Sequence, residues 1–244
     1  MHSKHSRLDR FIAKSCQIPL KSVKPLLARG AITVNGVPVN DGQWRVCEFD
    51  RIECQGTMLQ HRSPLYLMMH KPVGVVCATR DKQHTTVLDL IDHPAKDELH
   101  IVGRLDLNTS GLVLLTNDGR WSRRLTAPES KVPKRYQVRV KESLDDRYVQ
   151  AFAEGMYFET EGCMTAPVEL TLTSATTAEL VLTEGKYHQI KRMFGRFRNR
   201  VLALHRSAVG PYELDATLAP GQYRVLGESG ELGALSKEKK RINP

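Results

Sequence analysis

One aspartate stands where a side chain could do chemistry. In Gly103-Arg104-Leu105-Asp106-Leu107-Asn108-Thr109-Ser110-Gly111, Asp106 lies between an arginine and a turn-forming Asn-Thr-Ser-Gly stretch. The apolar run Leu112-Val113-Leu114-Leu115 that follows, closed by Thr116-Asn117-Asp118-Gly119, reads as a strand, so the acid sits on a loop anchored by core. A lone carboxylate held in this way can act as a nucleophile or accept a proton. The other reactive side chains lack the company that chemistry needs. His188 and His205 have no Cys or carboxylate at metal-ligand spacing. Ser110 follows no Gly-x-Ser-x-Gly elbow, and Asp118 before Gly119 is placed to cap a helix or make a turn. The glycines form neither a Walker loop nor a dinucleotide fingerprint, so no cofactor and no metal is implied.

The elements that must position Asp106 follow a change of composition. From Leu65 onward, strand-like stretches appear at Leu65–Met69, Gly74–Ala78, Leu112–Thr116, Tyr136–Val140, Val168–Leu172 and Ala178–Leu182. Helices are predicted at 86–92, 119–126, 143–154 and 187–196. Strand runs joined by turns and interrupted by helices give an α+β domain with a mostly antiparallel β-sheet flanked by helices, over 61–230. Ahead of it, Leu8, Phe11 and Ile12 recur at helical spacing, and Val23, Leu26 and Leu27 form a second apolar face before Arg29-Gly30. Two short strands flank Asn35-Gly36, a hairpin signal, and Val46 to Glu53 reads as a further strand. This smaller unit takes residues 1–60, with Gln55-Gly56 through Arg62-Ser63-Pro64 as the linker. Residues 231–244 read as a flexible basic tail.

Charge narrows the partner. Lys and Arg number 36 against 27 Asp and Glu. The excess is clustered at residues 1–30, 119–139 and 186–206, with seven basic side chains in each segment. Such clustering attracts a polyanion, and nucleic acid is the natural one. In the first unit Arg7, Arg10, Lys14, Lys21 and Lys24 can form a basic face for phosphates. No amphipathic helix with a wide apolar face accompanies the charge, and no apolar run is long enough to cross a bilayer, so a membrane role is not expected. Five scattered cysteines with no Cys-x-x-Cys pair argue for reduced thiols, and a cytoplasmic protein is expected.

Residue by residue, two resemblances emerge. Arg7-Leu8-Asp9, a second helix from near Ser22, and Gly30-Ala31-Ile32-Thr33-Val34-Asn35-Gly36 resemble the S-four-type RNA-binding domain. The second region carries four motifs in order. They are His70-Lys71-Pro72-Val73-Gly74, Gly103-Arg104-Leu105-Asp106 with Thr109-Ser110-Gly111-Leu112, Lys134-Arg135-Tyr136, and Glu184-Gly185-Lys186-Tyr187-His188-Gln189-Ile190-Lys191-Arg192-Met193. Together they resemble the pseudouridine synthases that act on ribosomal RNA. Trp121-Ser122, Arg124-Leu125-Thr126, Pro128 and the lysine of Gln189-Ile190-Lys191-Arg192 resemble the small-subunit branch more than the large-subunit enzymes.

That resemblance implies an isomerase that detaches uracil from C1′ of a uridine, rotates it and rejoins it through C5. Asp106 takes the essential catalytic position, either attacking the sugar or accepting a sugar proton. Lys191 is its implied ion-pair partner, Ile190 packs beside the base, and Arg192 joins the substrate-binding set. Tyr136 stacks on the target uracil, its part in removing the C5 proton being open. Arg104 either fills the gap left by the extruded base or holds the loop or a phosphate. The implied substrate is 16S ribosomal RNA in a small-subunit assembly intermediate, bound by a monomer. Three other readings stay open: a non-catalytic RNA-binding ribosome-assembly factor, a large-subunit (23S) rRNA pseudouridine synthase, and a base-excising glycosylase that frees uracil.

Overall fold

Leu8 and Ile12, one helical turn apart in the helix Leu8–Ser15, are fully buried against Val23, Leu26 and Leu27 of the helix Val23–Ala28. Pro25 falls in the first turn of that second helix, where its missing N–H breaks no helical bond. The computed structural model describes residues 6–227 and Gly230. The chain divides into two compact units, Met1–Pro64 and Leu65–Pro244. The tail expected at 231–244 lies outside the described residues.

In the first unit, Asn35 and Gly36 both adopt positive φ, 53° and 81°, the geometry of a two-residue hairpin turn between Ile32–Val34 and Val37–Pro38. Gln55 and Gly56 repeat it at 52° and 77°, joining Ile52–Cys54 to Thr57–Gln60. The stretch expected to be a linker therefore supplies the edge strand of a four-stranded sheet, and its polar residues reflect an edge rather than a tether. The single strand expected over 46–53 is broken. The Asp50 carboxylate accepts the Cys47 N–H at 2.7 Å and turns the chain, leaving Arg45–Val46 to pair with Ser6–Arg7.

The second unit is built on a nine-stranded sheet. Its order runs Glu169–Leu172, Thr177–Leu182, Lys134–Val140, Val201–Val209, Ser110–Thr116, Tyr66–Lys71, Tyr223–Val225, with Tyr212–Glu213 and His100–Val102 on side branches. Every pairing is antiparallel except that of Val201–Val209 with Ser110–Thr116, where His205 and Arg206 register with Ser110 and Gly111. Side chains of the inner strands alternate between two cores. Leu67, Met69, Val113 and Leu115 join Tyr148, Phe152, Met193 and Phe194 of the helices Asp146–Glu154 and Gln189–Gly195. Tyr66, Met68, Leu112 and Leu114 instead join Trp121 and Leu125 of the helix Gly119–Thr126, whose first turn is capped by Asp118.

Two further expectations are corrected, and one strand is new. The helix at 86–92 is absent: Thr86 and Asp89 bond reciprocally as at a helix start, but Pro94 follows too soon for the turn to continue. The strand at 74–78 is reduced to one bridge, Val76 with Thr86, because Gly74 (φ 86°) turns the chain so that its N–H reaches the carbonyl of Leu107. The strand Val201–Val209, unanticipated from sequence, lies between the two halves of the sheet.

The parallel seam requires glycine at position 111. Its φ is 111°, and a Cβ there would collide with the carbonyl oxygen of Arg206 and lie 2.6 Å from its nitrogen. Gly111→Ala is expected to destabilise the second unit by at least about 3 kcal/mol. Thermal unfolding of the full chain measures this, at about 2–4 °C for each kcal/mol in a domain of this size; an unchanged midpoint would contradict the seam geometry.

Candidate active site

The loop that bears Asp106 is held through its carbonyls by two buried cations. Lys71, fully buried, donates its ammonium to the carbonyls of Thr109 (2.7 Å), Pro72 (2.9 Å) and Leu107 (3.5 Å). Arg206, 2% exposed, donates to Leu112 (2.9 Å), Gly103 (3.0 Å) and Arg104 (3.5 Å). Lys71 therefore grips the loop after Asp106, and Arg206 ties the residues before Asp106 to the strand that follows the loop. Neither has a carboxylate at ion-pair distance among the described residues, and burial pushes the Lys71 ammonium below its ordinary value. The Asp106 carbonyl accepts the Thr109 N–H at 3.1 Å, and Leu105 N–H reaches the Cys77 sulfur at 3.3 Å.

Asp106 opens into a cleft of about 110 Å³. That is smaller than the few hundred Å³ typical of sites for drug-sized ligands, and suits a single ring. Its apolar wall is Leu105, Tyr136, Leu182, Ile190 and Leu204. Tyr136 and Ile190 are buried, while Arg104 is exposed at the rim. Lys191 Nζ lies 2.9 Å from Asp106 Oδ2 and His188 Nε2 lies 3.5 Å from the same oxygen, each group about one-third exposed. Among the described residues lining the cleft, Asp106 is the only carboxylate, set against Arg104, Lys186 and Lys191.

The wall facing Asp106 is fixed by its own local chemistry. Gln189, buried at the start of the helix Gln189–Gly195, accepts the Lys186 N–H and donates to Glu184, which also accepts the Ala166 N–H. His188 adopts a left-handed conformation, φ 49°, as the chain enters the helix, and Lys191 then faces the cleft from the first turn. Its neighbour Arg192 is not brought to the cleft. About 100° further around the helix, it makes a bidentate pair with Glu161 (2.7 and 2.8 Å) and lies 3.7 Å over the Phe158 ring. In the first unit Arg7, Arg10, Lys14, Lys21 and Lys24 are all exposed, and Arg7 is paired with Asp9 at 2.6 Å.

Comparison with known proteins places the chain among RNA-modifying enzymes. Residues 65–195 match the family model described as RNA pseudouridylate synthase. The chain is 49% identical to a ribosomal small subunit pseudouridine synthase A of Pseudomonas aeruginosa, across 90% of this chain and 96% of the relative. It is 39% identical to the protein of that name from Escherichia coli, across 91% and 96%. A solved pseudouridylate synthase crystal structure aligns with a TM-score of 0.66 at 36% identity, covering 91% of this chain and 96% of the other.

Sequence reading missed several groups at this site. Lys71 falls within the motif His70-Lys71-Pro72-Val73-Gly74 and Arg206 within the basic segment 186–206, but nothing adjacent in sequence marks either as a clamp on the loop. His188, set aside as a metal ligand, touches Asp106 instead. Thr109 lines the cleft with its hydroxyl buried and without a hydrogen-bond partner. Lys71 carries the clearest test. Lys71→Met strips the ammonium from the carbonyls of Pro72 and Thr109, and is expected to lower the free energy of unfolding by about 1–3 kcal/mol. Denaturant titration reads this directly; stability equal to wild type would contradict the clamp.

Proposed function

The chain belongs to the RNA pseudouridylate synthase family, and on that premise we propose that it isomerises a specific uridine of 16S ribosomal RNA to pseudouridine with Asp106 as the catalytic carboxylate. The observation that carries the reading is the pair of Asp106 and Lys191, 2.9 Å apart in a cleft walled by Tyr136 and Ile190. A hydrolytic glycosidase commonly sets a second carboxylate across the scissile bond. Asp106 has no such partner among the described lining residues, which suits a reaction that keeps both fragments and excludes water.

The target uridine must leave its stack before C1′ can be reached, at a cost of a few kcal/mol. Arg104, exposed at the rim, fills the vacancy or binds a flanking phosphate. The extruded uracil enters between Tyr136, whose ring offers a face for stacking, and Ile190, which packs at its edge. Lys191 orients the carboxylate. Asp106 then either attacks C1′ or accepts a proton from the sugar; in both cases the freed base turns within the cleft, bonds to C1′ through C5, and gives up the C5 proton. The apolar wall keeps water from intercepting the intermediate.

The first unit is the proposed S-four-type RNA-binding domain, with Arg7, Arg10, Lys14, Lys21 and Lys24 against phosphates and an affinity that falls steeply with salt. The names of the relatives support the small-subunit RNA as substrate, and a small-subunit assembly intermediate in the cytoplasm is the proposed setting, the chain acting as a monomer. Among the described residues no helix is long and apolar enough to cross a membrane.

Asp106→Asn keeps the shape of the side chain but removes its charge. Release of tritium from C5-labelled uridine in small-subunit rRNA is expected to stop, while retention of the same RNA on a filter by the variant stays close to wild type. Normal turnover would refute the role of Asp106.

A further inference from the structure

Beside the cleft lies an aromatic ring that the reaction described above does not use. Tyr187 is 73% exposed, the highest value among the exposed large hydrophobic residues described. Isolated exposed side chains of this kind are ordinary, but this one is neither isolated nor loose. Its ring lies on the imidazole of His188 with centroids 3.9 Å apart and planes 22° from parallel. His188 in turn reaches to 3.5 Å from Asp106. One face of Tyr187 is thus covered, and the exposure lies on the rest of the ring. Lys186 and His188, on either side of it in sequence, both line the cleft while Tyr187 does not, which puts its ring outside the rim.

The backbone under the ring is fixed. The Tyr187 carbonyl accepts a bond from Arg192 at 3.2 Å, and Arg192 is itself locked between Glu161 and the Phe158 ring. The brace of Glu184 with Gln189 holds the same loop from the other side. An exposed ring on an ordered backbone loses little freedom when something stacks on it.

We propose that Tyr187 is a stacking platform for the nucleobase next to the target uridine, a subsite that grips the single-stranded RNA flanking the cleft. The inference rests on the proposed RNA substrate. Extruding the uridine takes away a stacking partner of its neighbour, and every base has a face that an aromatic ring can cover. Tyr187, with His188 behind it, supplies a replacement one ring away from the carboxylate. The Lys186 ammonium, bonded to the Cys163 sulfur at 3.3 Å and 3.8 Å from Glu184, helps hold the platform's loop. The arrangement also gives Arg192 a part: it touches no substrate and positions the platform.

The test is steady-state tritium release by the full-length chain from small-subunit rRNA labelled at C5 of uridine, presented naked and assembled with small-subunit proteins. Tyr187→Ala is expected to raise KM roughly five- to a hundredfold, the range for losing one base–aromatic stack, with kcat unchanged; Tyr187→Phe keeps the wild-type KM. An unchanged KM in Tyr187→Ala overturns the platform. A fall in kcat alone also overturns it, because the ring would then act on the chemistry through His188. Absence of release by the wild-type chain on both substrates would instead contradict the proposed function, and that result is read before any variant is compared.

Discussion

A buried positive charge without a carboxylate partner is unfavourable, and among the described residues this fold places two of them beside one loop. Lys71 and Arg206 each donate to backbone carbonyls of the loop, Lys71 after Asp106 and Arg206 both before it and at Leu112 beyond it. Carbonyl oxygens satisfy the donors but do not neutralise the charge, so both cations need the loop to stay where it is. The same contacts fix the loop for catalysis. A carboxylate that must meet C1′ at close range gains from such pre-organisation, because a small misplacement is costly in rate. Gly111 is part of the same constraint, since its lack of a side chain lets the Arg206 backbone approach closely enough for the guanidinium to reach back over the loop.

The opposite wall is organised by different physics. There the chain enters a helix through a left-handed histidine, and a buried glutamine and a glutamate stitch the preceding turn. This sets the phase of the helix, and the phase sorts neighbouring cations between two tasks. Lys191 faces Asp106, whereas Arg192 turns toward Glu161 and Phe158. The cleft is the meeting of two pieces, bridged by the pair of Lys191 and Asp106 with His188 close by.

Local chemistry was the legible part of the sequence. Asn35-Gly36 makes its hairpin, Asp118 caps its helix, and the apolar run after the Asp106 loop forms an inner strand, because each depends on a few adjacent residues. Longer-range features were hidden. The strand Val201–Val209 overlaps the end of the basic segment 186–206, and only the packed structure shows the Arg206 guanidinium turned inward. Thr86 and Asp89 signal a helix start that Pro94 then cuts short, and Thr57–Gln60 reads as a tether because an edge strand tolerates polar residues. Asp106 and Lys191 stand 85 positions apart, and no spacing rule joins them. The family resemblance named the pair, and the fold brings it to bonding distance. For Arg192 the resemblance named a substrate role, but the helix phase takes the side chain elsewhere.

The central claim is that one carboxylate on a clamped loop works through its pairing with one ammonium group. Comparing tritium release by Lys191→Met and Lys191→Arg with that of wild type tests it most directly. Loss of the charge in Lys191→Met should slow turnover at least about a hundredfold, the scale on which a pre-organised electrostatic partner is felt, while Lys191→Arg retains most of the activity. If Lys191→Met turns over as fast as wild type, the ion pair is not what makes Asp106 reactive and the account fails.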